Sequence, residues 1–135
     1  MSMTAESVLS AYYAAFNRGD WPAFLNLVTD DVVHDINQGG RERGRATFAA
    51  FMERMNRCYA EQIEDITILT GADTTRAAVE FTVVGQYLQT DEGLPPATGQ
   101  AYRLPGGAFF ELRDGKVARV TNYYNLQDWL RQVGA

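Results

Sequence analysis

The sequence predicts an α+β domain, with helices filling the first half of the chain and a meander of antiparallel strands filling the second. Two features carry this reading. As far as Tyr59 the apolar residues recur at helical three-and-four spacing, interrupted by one short strand-like run, and from Ile63 the period falls to two. Turn signals then punctuate the second half at Gly71-Ala72-Asp73-Thr74 and at Arg113-Asp114-Gly115-Lys116. Helices segregated from an antiparallel sheet bury its inner face, so one layer of helices on one bent sheet is expected.

Each element follows from local chemistry. Thr4 is placed to cap a first helix, with Glu6 in the first turn where negative charge is favourable, and Val8, Leu9, Tyr12, Tyr13 and Phe16 form its apolar face. Arg18-Gly19 ends it, because Gly enters the left-handed region without steric cost. Asp20 caps a short second helix that tolerates Pro22 in its first turn and presents Trp21, Phe24, Leu25, Leu27 and Val28. The run Asp30-Asp31-Val32-Val33-His34-Asp35-Ile36 reads as a strand entering an apolar interior, and Asn37-Gln38-Gly39-Gly40 as the loop after it. A third helix covers Arg45 to Tyr59, with Phe48, Phe51, Met52, Met55 and Tyr59 on one face.

In the second half, Ile66 and Ile68 alternate in one strand, and a long strand sets Ala77, Val79, Phe81, Val83 and Tyr87 against Glu80, Thr82 and Gln86 on its other face. Thr90 to Thr98, with Gly93, Pro95 and Pro96, is a loop of the kind that rims a pocket. A further strand starts near Gln100, is expected to break at Pro105-Gly106-Gly107, and resumes through Phe109 and Phe110 to Leu112; such a break predicts a bulge and a strongly curved sheet. Asp114-Gly115 suits a type I′ hairpin turn. Val117 to Tyr124 is the last strand, and Asn125 caps a short helix carrying Leu126, Trp129 and Leu130. The concave face of this sheet is the expected ligand site.

Composition narrows the function. The 135 residues form one domain, 1–135, with 46% apolar and 21% charged residues and no apolar run long enough to cross a membrane. Met1 to Thr4 lacks the basic start and apolar core of a secretory signal, so the expected location is cytoplasmic. Twelve basic against seventeen acidic residues leave a net charge of −5, which disfavours nucleic acid and anionic membrane surfaces as partners. Arg41, Arg43 and Arg45, interrupted by Glu42, read as a solvated loop face. The single Cys58 is expected in the core, and neither it nor the single His34 has metal-ligand spacing around it.

Asp35 is the first candidate for chemistry. A carboxylate at the end of a strand in a dry pocket would have its pKa raised toward the range of a working general base. Asp ahead of an Asn/Gln/Gly loop is also ordinary turn chemistry, and both readings stand at this level. Strand alternation puts His34 on the face opposite Asp35, which argues against a dyad and for a structural histidine.

The runs Phe16-Asn17-Arg18-Gly19-Asp20-Trp21, Asp30-Asp31-Val32-Val33-His34-Asp35, Gly44-Arg45 with Phe48-Ala49-Ala50-Phe51, and Arg113-Asp114-Gly115-Lys116-Val117 closely resemble the NTF2-like superfamily. Within it the chain looks like the branch of SnoaL-like polyketide cyclases and ketosteroid isomerases. The resemblance implies a cone: a curved antiparallel sheet with three N-terminal-half helices over its concave face. It also implies a cofactor-free isomerase or cyclase acting on an apolar ketone or polyketide-like substrate. Asp35 falls where the isomerase base stands and Tyr12 where the oxyanion Tyr stands, with Tyr13 taking over if the register slips by one; Tyr12 reads equally as a core aromatic. Gly107 stands where the isomerases carry a second oxyanion acid, which argues against steroid isomerisation. Asn122, Tyr123, Tyr124 and Asn125 stand at the end of the last strand, where related cyclases and epoxide hydrolases often carry an acid; amides cannot serve as a general base, which argues against those activities too. The pocket walls are expected from Tyr13, Phe51, Met55, Phe81, Val83, Tyr102, Phe109, Asn122 and Tyr124. The family commonly pairs through the outer face of its sheet, so a homodimer is implied. A non-catalytic binding domain for an apolar small molecule is the alternative.

Overall fold

The computed structural model describes residues 4–134. Residues 1–3, which carry the reading of an absent secretory signal, lie outside the described residues. Helix α1 (Ala5–Arg18) is capped by Thr4, whose hydroxyl accepts from the Ser7 amide at 3.1 Å, and it ends at Gly19 with φ of 70°. Helix α2 (Trp21–Asn26) is capped by Asp20. Strand β1 (Val28–Asp35) and a three-residue strand β2 (Arg41–Arg43) follow, then helix α3 (Arg45–Cys58). Strands β3 (Tyr59–Thr70), β4 (Arg76–Tyr87), β5 (Ala101–Arg113) and β6 (Lys116–Tyr124) form the meander, and α4 (Leu126–Val133) closes the described chain. Among these residues no helix is long and apolar enough to cross a membrane.

The six strands lie in the order β2-β1-β6-β5-β4-β3. All neighbours are antiparallel except β1 and β6, which run parallel, so the sheet is mixed where a purely antiparallel one was expected. Three further differences have local causes. The arginine-rich segment after Gly40 is a strand, because Arg41, Glu42 and Arg43 pair with Asp35, His34 and Val33. The third helix stops at Cys58, and Tyr59 already has extended backbone. Strand β5 runs unbroken through Pro105-Gly106-Gly107, each of which keeps its partner on β4. Register instead shifts between Glu64 and Thr67, where Asp65 takes a positive φ, and between Glu111 and Leu112. The turn after Arg113 is as expected: Asp114 and Gly115 have φ of 54° and 74°.

The helices cover the concave face. Phe110 is fully buried there, with Tyr12 and Tyr13 of α1 edge-on to its ring at 5.5 and 6.3 Å. Asn17 locks α1 to the sheet: its amide donates to the Ile63 carbonyl at 2.9 Å and accepts from the Ile63 amide at 2.8 Å. Burying a large apolar side chain such as Phe110 contributes about 1.5–3 kcal/mol.

One close approach shapes the site. Glu61, Gly85 and Tyr102 are cross-strand neighbours on β3, β4 and β5. The Tyr102 ring lies across Gly85, where a Cβ would stand 2.3 Å from the ring's Cζ, and its hydroxyl donates to Glu61 Oε2 at 2.5 Å. Gly85→Ala is therefore expected to destabilise the fold by about 1–3 kcal/mol, the usual cost of overpacking. Urea denaturation of a double-mutant cycle checks this, since removing the ring with Tyr102→Ala should abolish most of that cost. An equal cost in both backgrounds would locate the strain elsewhere.

Candidate active site

Cross-strand rows decide which side chains reach the concave face. The inner row Glu42–His34–Val120–Phe110–Ala77 crosses five strands, and its middle members are buried. The adjacent row Arg41–Asp35–Thr121–Phe109–Ala78 faces the other way. Under the inner rows lies a cavity of about 860 Å³, walled by α1, α3, the inner face of the sheet and the loop after β4.

Most of the expected pocket residues line this cavity: Tyr12, Tyr13, Phe51, Met55, Phe81, Val83, Asn122 and Tyr124. Tyr102 reaches its edge through the hydrogen bond to Glu61. Tyr12 is buried and packs on Tyr13, Phe24 and Phe110, and burial pushes its hydroxyl pKa upward. Phe109 does not belong to the cavity. It lies on the convex face, 47% exposed and edge-on to Tyr123 at 5.6 Å, because Phe110 takes the inward position next to it.

Asp35 also differs from expectation. It touches the cavity rim, but its carboxylate is gripped on the convex side by Arg41, at 2.6 and 3.0 Å, and by Arg119, at 3.1 Å. Arg119 in turn donates to Glu111 at 2.7 Å. The hydrogen bond from Arg41 leads in holding the Asp35 pKa below the usual carboxylate value, the opposite of the rise a buried base needs. A carboxylate so paired is a poor proton acceptor.

Three acidic or basic groups outside the expected set occupy the site. Glu61 is half-buried on the cavity wall, where burial raises its pKa and the Tyr102 hydroxyl opposes that rise. His34 is 4% exposed and wedged between Phe48 and Phe51, with ring centroids 5.1 and 4.5 Å away. Burial pushes its pKa down against the pull of Glu42 and Asp35, which keeps the imidazole neutral at neutral pH. Asp91, on the loop after β4, accepts from the Tyr59 hydroxyl at 2.8 Å, while its amide donates to the Tyr87 hydroxyl at 2.9 Å, pinning that loop over the cavity. The Tyr13 hydroxyl is buried on the wall without a hydrogen-bond partner. Among the described residues no three His, Cys, Asp or Glu side chains are grouped as metal ligands.

A helix-covered, strongly bent sheet enclosing an apolar cavity is the NTF2-like fold. An NTF2-like protein from Burkholderia xenovorans LB400 shares it at a TM-score of 0.75 and 18% identity, over 98% of this chain and 99% of that one. The chain belongs to the SnoaL-like domain family, whose model matches residues 9–120. It is similar to a protein provisionally named polyketide cyclase from Pseudomonas putida KT2440, with 65% identity, a TM-score of 0.95, and coverage of 97% of this chain and 98% of that one. A second protein with the same provisional name, from Xanthomonas campestris pv. campestris, is 57% identical at a TM-score of 0.91, covering 95% of each chain. No curated protein matches the sequence.

The Asp35 ion pairs make a signed prediction. A carboxylate whose folded pKa lies below its unfolded value of about 3.9 stabilises the fold above that pH, and the contribution fades as pH falls through the folded value. Asp35→Asn should therefore lower the urea midpoint at pH 7, and the difference from wild type should shrink steadily below about pH 4. Titration of the Asp35 carboxyl by NMR above pH 5 would contradict the geometry.

Proposed function

We propose that the protein is an acid–base enzyme acting on apolar, ring-shaped or polyketide-like ketones, with Glu61 as the group that removes and returns the proton. The observation that carries this reading is the Glu61 carboxyl on the wall of an apolar cavity, held in place by the Tyr102 hydroxyl at 2.5 Å. The provisional names of the two close relatives support the substrate class.

The chemistry follows from the environment. Ionised Glu61 takes a proton from a carbon beside the substrate carbonyl, and the electron pair moves onto the carbonyl oxygen. The unpartnered Tyr13 hydroxyl, protonated because burial raises its pKa, supports the developing enolate. Return of the proton at a second carbon gives isomerisation. Attack of the enolate carbon on a second carbonyl forms a C–C bond, and the resulting alkoxide takes the proton back from Glu61, giving cyclisation. A raised carboxyl pKa brings the base closer to neutrality, where proton transfer is most effective.

The convex face has a separate role. Exposed Phe109 and Tyr123 stand beside the charged pairs of Asp35, Arg41, Arg119 and Glu111, and two copies of the chain pair through this face. Light scattering at micromolar concentration tests this, and a monomer mass would refute it.

Screening enolisable cyclic and polyketone substrates tests the catalytic reading. Glu61→Gln should reduce kcat by about 10²- to 10⁴-fold, the usual worth of a general base, whereas Asp35→Asn should leave kcat nearly unchanged. Equal turnover by wild type and Glu61→Gln would leave a binding domain for an apolar small molecule. Ligand affinity separates the two faces: Phe81→Ala should weaken it and Phe109→Ala should not.

A further inference from the structure

The end of the cavity away from Glu61 holds polar groups that the proton transfer does not use. In the strand order His34 stands on β1, four strands from the β3 that carries Glu61, yet both line the same cavity. His34 is more than nine-tenths buried, and its Nδ1 is unpartnered 4.0 Å from Glu42 Oε1, which is also unpartnered. Phe48 and Phe51 crowd the imidazole, so it has little freedom to seek solvent. Glu42 Oε1 faces Nδ1 from 4.0 Å, close enough for its charge to act on the imidazole.

The chemistry of a neutral imidazole fixes what this arrangement can bind. It has one N–H and one acceptor nitrogen. Ionised Glu42 can only accept, so it selects the tautomer with the proton on Nδ1, which leaves Nε2 as an acceptor. A group meeting an acceptor must donate a hydrogen bond. Asp35, Glu61, Asp91 and Glu92 outnumber Arg18 and Arg54 on the cavity lining, and the chain carries a net charge of −5, so an anionic group is disfavoured.

We propose that His34, oriented by Glu42, docks a neutral hydroxyl or enol group of the ligand at the end of the cavity opposite Glu61. The substrate class then narrows from apolar ketones to ring systems that also bear a hydroxyl. This inference rests on the cavity being the ligand site, and it assigns His34 and Glu42 to binding and orientation, leaving the proton transfer to Glu61.

Naphthalene and 2-naphthol are a matched pair of probes, because they differ by one hydroxyl. Calorimetric titration of the full chain should show 2-naphthol binding about 3- to 10-fold more tightly, the worth of one hydrogen bond. His34→Phe should erase this preference while keeping naphthalene affinity within about twofold, since an apolar ring of similar size fills the same space. His34→Gln, which restores an acceptor, should recover part of the preference, and Glu42→Gln should reduce it because an amide no longer enforces the tautomer. Glu61→Gln should leave it intact, so loss of turnover and loss of preference report on separate sites. Equal binding of the two probes by wild type, or a preference that survives His34→Phe, would overturn the assignment. Failure of both probes to bind would overturn the cavity reading together with it.

Discussion

The parallel pairing of β1 with β6 governs the chemistry of this protein, because it sets which of two adjacent residues faces the cavity. Val33, His34 and Asp35 register with Arg119, Val120 and Thr121, so His34 joins the buried inner row and Asp35 the convex one. Side chains alternate strictly along a strand, and a slip of one residue would exchange the two sets. Energetics oppose that exchange. Turned inward, Asp35 would lose both Arg41 and Arg119 and carry a bare charge into an apolar space, while His34 would leave its place between two phenylalanines. The same alternation sends Phe110 inward and Phe109 outward on β5.

A second constraint works at the far side of the sheet. Tyr102 reaches Glu61 only because Gly85, on the strand between them, has no side chain to block the ring. Asn17 fastens α1 to the backbone of Ile63, two residues beyond Glu61, and this holds the carboxyl at a fixed depth below the helix. The Tyr59–Asp91 and Asp91–Tyr87 hydrogen bonds hold the loop above it. All of these contacts except Asp91–Tyr87 join segments distant in sequence, so the position of Glu61 is a property of the closed cone and of no single element.

Local chemistry explains what the sequence made legible. The Thr4 and Asp20 caps, Gly19 as a terminator, the Asp114-Gly115 turn and the inward face of β4 all depend on residues within a few positions of one another. The site was harder to read for reasons that can be named. Val32 and Val33 are adjacent apolar residues, so alternation in β1 is ambiguous until β6 supplies the register, and the Arg119 that claims Asp35 is 84 residues away. Glu61 follows a helix that passes into a strand with no turn between Cys58 and Tyr59; only Tyr59, Glu61 and Ile63 at period two could have exposed it. Pro105-Gly106-Gly107 looked like a break because both residue types are poor in strands. In the fold, Gly106 leaves room for the Phe81 ring, which a Cβ would approach to 2.7 Å.

The division of labour between the two faces follows from these constraints. On the convex side, opposite charges meet at short range near solvent, where each neutralises its partner and none is left free to move a proton. On the concave side, Glu61 leans on one hydroxyl, and His34 faces a carboxylate that does not quite reach it. Burial shifts both toward their neutral forms, the carboxyl by a raised pKa and the imidazole by a lowered one. In the proposed reading, an apolar ring therefore meets a carboxyl and an imidazole that both lean toward their neutral forms. The sequence rule that places carboxylates at strand ends points to Asp35; the electrostatics of the folded sheet assign it to the outer face and leave Glu61 within the cavity.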